Sequence, residues 1–149
     1  MLTIIRTTSD NIDFQFLVAL LDQYLAIIDG DEHEFYAQYN KTATLKTVVV
    51  AYYNNSPVGC GAFKEFDEEK AEIKRMFVLP EMRGKSIATD ILKELEIWAK
   101  ELKYKTCILE TGKKQKDAIA LYQKTGYDII PNYGQYKHIE NSVCMKKLL

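Results

Sequence analysis

The stretch from Ala71 to Leu102, AEIKRMFVLPEMRGKSIATDILKELEIWAKEL, decides the fold. From Glu72 to Val78, β-forming residues alternate with charge and Pro80 closes the run, which predicts a strand. Arg83-Gly84-Lys85-Ser86 follows as a basic turn. Ile87, Ile91, Leu95, Trp98 and Leu102 then recur every three to four residues, with Leu92 and Ala99 beside them. That spacing is one apolar face of a long helix.

A strand feeding a glycine-containing basic turn that opens a helix is a place to hold an anion. The first helical turn presents unpaired N–H groups and the positive end of the dipole. Arg83 and Lys85 add formal charge. On the local pattern alone two readings stand: a phosphate site, or a solvated turn with two surface cations. A P-loop is excluded. That motif needs a glycine five residues before Gly84, where Leu79 stands, and Pro80 and Glu81 would remove an N–H and add repulsion inside the cradle.

Outward from this stretch, Leu2 to Arg6 reads as a strand. Asp10 is the expected N-cap of a helix carrying Phe14, Phe16, Leu17, Leu20, Leu21, Tyr24, Leu25 and Ile28, and Gly30 stops it. Asp29, Asp31, Glu32 and Glu34 form an acidic stretch, either favourable charge at a helix start or a lip that attracts a cationic amine. Glu32 to Tyr39 is a short helix. Thr47–Tyr53 and Val58–Phe66 form a hairpin around Asn54-Asn55-Ser56-Pro57, and Asp67 to Lys70 turns the chain into the central strand. Past the long helix, Lys105 to Glu110 is a buried-type strand that Thr111-Gly112 breaks. Asp117 to Lys124 is a helix ended by Gly126. Tyr127–Ile130 and Ser142–Lys147 are strands flanking a loop from Pro131 to Lys137. Three consecutive strands suggest antiparallel pairing, and the strand-helix-strand unit after them a parallel crossover, so the class is a mixed α/β sandwich.

The chain has 149 residues, enough for one domain with a real core, spanning 1–149. With 47% apolar and 28% charged residues it is an ordinary globular composition. A net charge of −1 argues against nucleic acid as the main partner. No apolar run approaches the ~20 residues of a membrane span, and the N-terminus lacks a secretory pattern. Cys60, Cys107 and Cys144 fall in strand-like segments without a framework spacing. They predict buried thiols in a reducing cytoplasm, a catalytic cysteine being the sharper alternative. His33 and His138 have no cysteine or carboxylate at ligand spacing, so no metal is expected.

Residues 78–92, VLPEMRGKSIATDIL, resemble motif A of the GCN5-related N-acetyltransferases (GNAT), whose core is Gln/Arg-x-x-Gly-x-Gly/Ala. Arg83 and Ala88 match its first and last positions, and Ser86 replaces the central glycine. AIALYQKTGY, from Ala118 to Tyr127, resembles the family's second motif, in the right order and spacing. The resemblance covers nearly the whole chain and is weakest before Thr47. It implies the GNAT fold: a twisted, mixed, mostly antiparallel sheet of about seven strands flanked by about four helices, splayed between the central strand and the strand holding Leu109.

The resemblance also implies a site. Acetyl-CoA, the co-substrate, would lie in the splay, its pantetheine pairing with backbone of Phe77 and Val78 as an added strand. Its pyrophosphate would sit on N–H groups of Arg83, Gly84, Lys85, Ser86, Ile87 and Ala88. If Ser86 needs a positive φ, serine costs about 1 kcal/mol or more against glycine, which predicts weaker but retained binding. Tyr122 aligns with the tyrosine that protonates the leaving thiolate; read locally, it packs beside Ile119 and Leu121. Gln115 stands where many relatives carry an asparagine, and its amide, on a longer arm, would be a pantetheine contact. Glu72 matches a strand glutamate used as general base, with Glu65 and Glu110 in reserve; as an ordinary surface residue it would pair with Lys74 or Arg75. Apart from the resemblance, Tyr36, Tyr133 and Tyr136 read as aromatics in loops at the sheet mouth, which either wall the acceptor pocket or merely pack. Lys113, Lys114 and Lys116 are a solvated run or a contact to the 3′-phosphate.

The implied activity is direct transfer of acetyl from acetyl-CoA to a primary amine in a ternary complex, with no acyl-enzyme. The alternative is a non-catalytic acyl-CoA-binding or regulatory module of the same fold. Polyamine, amino acid, aminoglycoside and protein amines remain open as acceptor. A homodimer is common in the family, though no segment declares an interface.

Overall fold

The computed structural model describes residues 1–38 and 44–149. Its elements run β1 (Leu2–Thr7), α1 (Ile12–Asp29), α2 (His33–Ala37), β2 (Thr47–Tyr53), β3 (Ser56–Glu65), β4 (Lys70–Val78), α3 (Ile87–Glu101), β5 (Thr106–Gly112), α4 (Lys116–Lys124), β6 (Asp128–Ile130) and β7 (Ser142–Leu148). The sheet has seven strands in the order β1-β2-β3-β4-β5-β7-β6. Every neighbouring pair is antiparallel except β4 and β5. This is the element order and sheet class expected from the sequence.

The valine run of β2 explains the layering. Its side chains alternate between faces, and both faces are covered. Val49 and Ala51 join the core under α3, with Ile87, Ile91, Leu92 and Leu95. Val48 and Val50 join the core under α1, with Phe14, Leu17, Val18 and Leu21. Full burial of each such side chain contributes roughly 1.5–3 kcal/mol. Two glycines in β3 let α3 lie close. A Cβ on Gly61 would stand 2.9 Å from Leu95 Cδ1 and 3.0 Å from Ile91 Cγ2, and one on Gly59 would stand 2.9 Å from Ile91 Cδ1. The β2–β3 hairpin closes through Asn54 and Asn55, both at positive φ, as a tight primed turn requires.

Three local expectations need correction. The N-cap of α1 is Asn11, whose side chain accepts from the Phe14 amide at 2.9 Å, and not Asp10. The acidic segment folds as a 3₁₀ turn, Gly30–Glu32, before the one-turn helix α2; Tyr39 lies outside the described residues. Thr111 and Gly112 do not break β5: they pair with Val143 and Ser142. The antiparallel partner strand, invisible to local propensity, keeps glycine in the ladder.

Candidate active site

The site is where β4 and β5 part. Their register covers only Lys70↔Thr106, Ala71↔Cys107 and Glu72↔Ile108. Beyond Glu72 the β5-facing edge of β4 has no strand beside it. A bulge lies just past that point. Cys60 pairs with Phe77 and Ala62 with Lys74, so Arg75 and Met76 together oppose Gly61. Arg75 stands at φ 59°. One extra residue reverses the alternation of every side chain after it. Ala71 and Ile73 face the α3 core before the bulge, and Met76 and Val78 face it after. Lys74 and Arg75 therefore both turn to the α1 side, with Glu72 and Phe77.

At the C-terminal end of β4 a cavity of about 610 Å³ opens, lined by Phe77, Val78, Arg83, Gly84, Ser86, Ile87 and Ala88 and, from α4, Gln115, Ala118 and Tyr122. That volume suits a small-molecule ligand. Gly84 and Ser86 have φ of 79° and 64°. Two left-handed residues ahead of a helix turn successive N–H groups to one side, an anion-binding concavity continuous with the first turn of α3. The Ile87 side chain is buried in the core, leaving its backbone for a ligand. These residues fit a pyrophosphate held by main chain. Arg83 is less available than its charge suggests, because its Nε donates to the Val78 carbonyl at 3.1 Å and its guanidinium lies over Tyr24 and Phe77. The same bond occupies one of the strand groups expected to pair with pantetheine. Lys85 does not line the cavity; its Nζ lies 5.9 Å from the Tyr53 ring centroid. Lys114, Lys116 and Lys124 line the opposite wall.

A second cavity, about 110 Å³, lies nearer the closed end of the splay, beside Glu72 to Met76 of β4 and Leu109 to Gly112 of β5. Its walls carry Asp29, Tyr36, Glu72, Lys74, Arg75 and Glu110. Glu72 is no surface residue: it is 3% exposed, Tyr133 donates to its Oε2 at 2.7 Å, and Lys64 Nζ lies 3.8 Å from its Oε1. Glu110 has a buried Oε2 without a hydrogen-bond partner. Burial, reinforced by the charges of Asp29 and Glu72, pushes its carboxyl up to about 7, against the pull of Ser142 and Lys74. Asp29, 5% exposed, is also raised, chiefly by desolvation.

Tyr122 joins the two cavities, for its side chain borders both. It is 7% exposed and stacks edge-on against Tyr127, with centroids 5.7 Å apart. Burial first, and then the Glu110 charge, raises its phenol pKa, so it holds its proton at neutral pH. Gln115 also borders both cavities.

Of the three tyrosines expected to wall the acceptor pocket, only Tyr36 borders the small cavity. Its hydroxyl lies 3.0 Å from Ser142 Oγ, and burial raises its pKa. Tyr136 is 1% exposed and stacks behind Tyr36, with centroids 6.4 Å apart. Tyr133 lines neither cavity; it packs on Phe66 and Tyr136 and reaches Glu72 from behind. Cys60, Cys107 and Cys144 are buried free thiols, raised by burial to about 12, 12 and 11, far from a nucleophile's range. Among the described residues no group of three or more metal-ligating side chains comes together, and no helix is long and apolar enough to cross a membrane.

The sequence of residues 14–127 matches the model of the acetyltransferase (GNAT) family. An IAA acetyltransferase of Azospirillum brasilense is 34% identical over 89% of this chain and 88% of its own. A Klebsiella pneumoniae structure described as an acyl-CoA N-acyltransferase superposes with a TM-score of 0.83 at 31% identity, covering 100% and 98% of the two chains. A GNAT acetyltransferase from Elizabethkingia anophelis, solved with acetyl-CoA bound, gives a TM-score of 0.71 at 25% identity over 99% and 98%.

Proposed function

The chain belongs to the acetyltransferase (GNAT) family, and on that premise we propose that it moves the acetyl group of acetyl-CoA directly onto a primary amine, with Glu110 as general base and Tyr122 as general acid. The observation that carries this reading is the position of Tyr122, a neutral phenol on the border between a nucleotide-sized cavity and a small cavity walled by carboxylates.

Acetyl-CoA supplies an electrophilic thioester carbon and a thiolate leaving group. The turn from Arg83 to Ala88 holds its pyrophosphate through main-chain N–H groups, with Lys114, Lys116 and Lys124 across the cavity for its remaining phosphate. The unpaired edge of β4 around Phe77 accepts the pantetheine arm. In the small cavity, Glu72 and Asp29 orient the ammonium. Glu110 takes the proton that must leave before the nitrogen lone pair can attack, and a carboxyl titrating near 7 suits that task at neutral pH. As the N–C bond forms and the C–S bond breaks, Tyr122 gives its proton to the departing sulfur. Glu110 holds one ammonium proton at the end of the step; the second N–H proton, lost as the amide forms, passes through solvent to the Tyr122 phenolate, and Glu110 then releases its own to solvent, so the net change is ammonium plus acetyl-CoA to amide, CoA thiol and one proton.

The buried thiols and the acetyl-CoA requirement support a reducing cytoplasmic setting. Thiol release from acetyl-CoA across a panel of amines, with an amine-free blank, tests the reading. Amine-dependent release is expected; acetyl-CoA binding without release to any amine would leave only a binding module.

A further inference from the structure

The small cavity is not uniformly acidic. Lys74 and Arg75 stand on the wall of β4, while Asp29, Glu72 and Glu110 contribute carboxylates from α1, β4 and β5. The bulge brings both cations there, since an unbroken strand would send neighbours to opposite faces. Arg75 stays at φ 59°, a conformation that glycine adopts freely and arginine does not. Its side chain is 2% exposed. From the solvent side Asp22 of α1 engages Nη2 alone, and the buried Nε has no hydrogen-bond partner. A buried guanidinium donor left unmatched in a cavity wall lacks a planar acceptor, and carboxylate is the acceptor its geometry fits best.

Resting on the acetyltransferase reading above, we propose that the acceptor is a compact amino acid whose carboxylate binds Arg75 and Lys74 while its ammonium faces Glu110, Glu72 and Asp29. A zwitterion matches a wall that presents both signs of charge. A polyamine would set its second ammonium against the two cations. The volume, about 110 Å³, is below that of the ~150 Å³ cavity that holds benzene, so the bound portion has about half a dozen heavy atoms. An aminoglycoside exceeds that, and a lysine side chain offers Arg75 no carboxylate.

Two assays on the 149-residue chain test this: amine-dependent thiol release at saturating acetyl-CoA, and calorimetric titration of the same amines in the presence of CoA. The probes are glycine, L-alanine and β-alanine against ethylamine, propylamine and putrescine. At least one amino acid should exceed its carboxylate-free counterpart about tenfold or more in kcat/KM and in binding. Arg75→Gly, which also removes the strain of a positive φ, and Lys74→Met should each cut that ratio to within about threefold. Putrescine or propylamine matching the best amino acid, or a ratio unmoved in both folded variants, would overturn the proposal. Should no amine release thiol, the transfer reading fails, and the titrations still decide the carboxylate preference.

Discussion

Tyr133 Oη donates to Glu72 Oε2 across 2.7 Å, tying the loop after β6 to the carboxylate wall of the small cavity. The bond fixes the rotamer of a glutamate that is 3% exposed. On the proposed mechanism Tyr133 is a positioning residue, touching Glu72 and not the cavity. Tyr133→Phe should raise the KM for the amine about 5- to 20-fold, as expected when one hydrogen bond to a charged group is lost, with kcat reduced much less. Steady-state kinetics with the amine varied at saturating acetyl-CoA reads the split. Equal KM values would show that Glu72 needs no such support.

Glu110 links activity and stability to pH in opposite directions. As the proposed base it must be ionised to act, so kcat/KM should rise through about pH 7 to a plateau. Glu110→Gln should remove that limb and lower kcat/KM at neutral pH by about 100-fold or more. For stability, the folded carboxyl keeps its proton from its ordinary value of 4.5 up to about 7, while the unfolded chain has already released it. The folded state binds more protons in that window, so this group's contribution falls as pH rises through it. Thermal melts at pH 5 and pH 8 should show Glu110→Gln gaining on the wild type at the higher pH, by at most about 3 kcal/mol.

Ser86 stands at φ 64° ahead of α3 and forms no side-chain cap. Ser86→Gly should therefore stabilise the fold by about 0.5–1 kcal/mol and tighten acetyl-CoA binding several-fold. Melting temperature and calorimetry read both effects. A weaker affinity in the glycine variant would mean that the hydroxyl itself contacts phosphate.

Gly61 faces the bulge and the ridge of α3. An added methyl would come within 3.0 Å of both Ile91 and Leu95 and 2.5 Å of Met76 Sδ. These atoms end flexible side chains, so the core yields in part. Gly61→Ala should destabilise by about 1–3 kcal/mol by overpacking, measured by denaturant titration.

The sequence made the scaffold legible because its signals are local. The face from Ile87 to Ala99 carries a helical period, and β2 is valine-rich enough to show burial on both sides. The turn ahead of α3 was legible too, and with it the question about Ser86 that φ answers. The carboxylate cavity was less so. Tyr133 and Tyr136 read as pocket walls because their loop follows β6, but where a loop folds back depends on contacts distant in sequence. The bulge had a trace: apolar residues at 71 and 73, then at 76 and 78, slip phase by one. Asp29 and Glu110 gave none, since their burial and coupling arise only when α1 and β5 meet.

The most direct test of the central claim is the turnover of Tyr122→Phe with a competent amine at saturating acetyl-CoA. Removal of the only proton this side chain can give should lower kcat about 100-fold or more, with the KM for acetyl-CoA within about twofold of the wild type. An unchanged kcat in a folded variant would contradict the account, because the group bordering both cavities would then take no part in releasing the thiol.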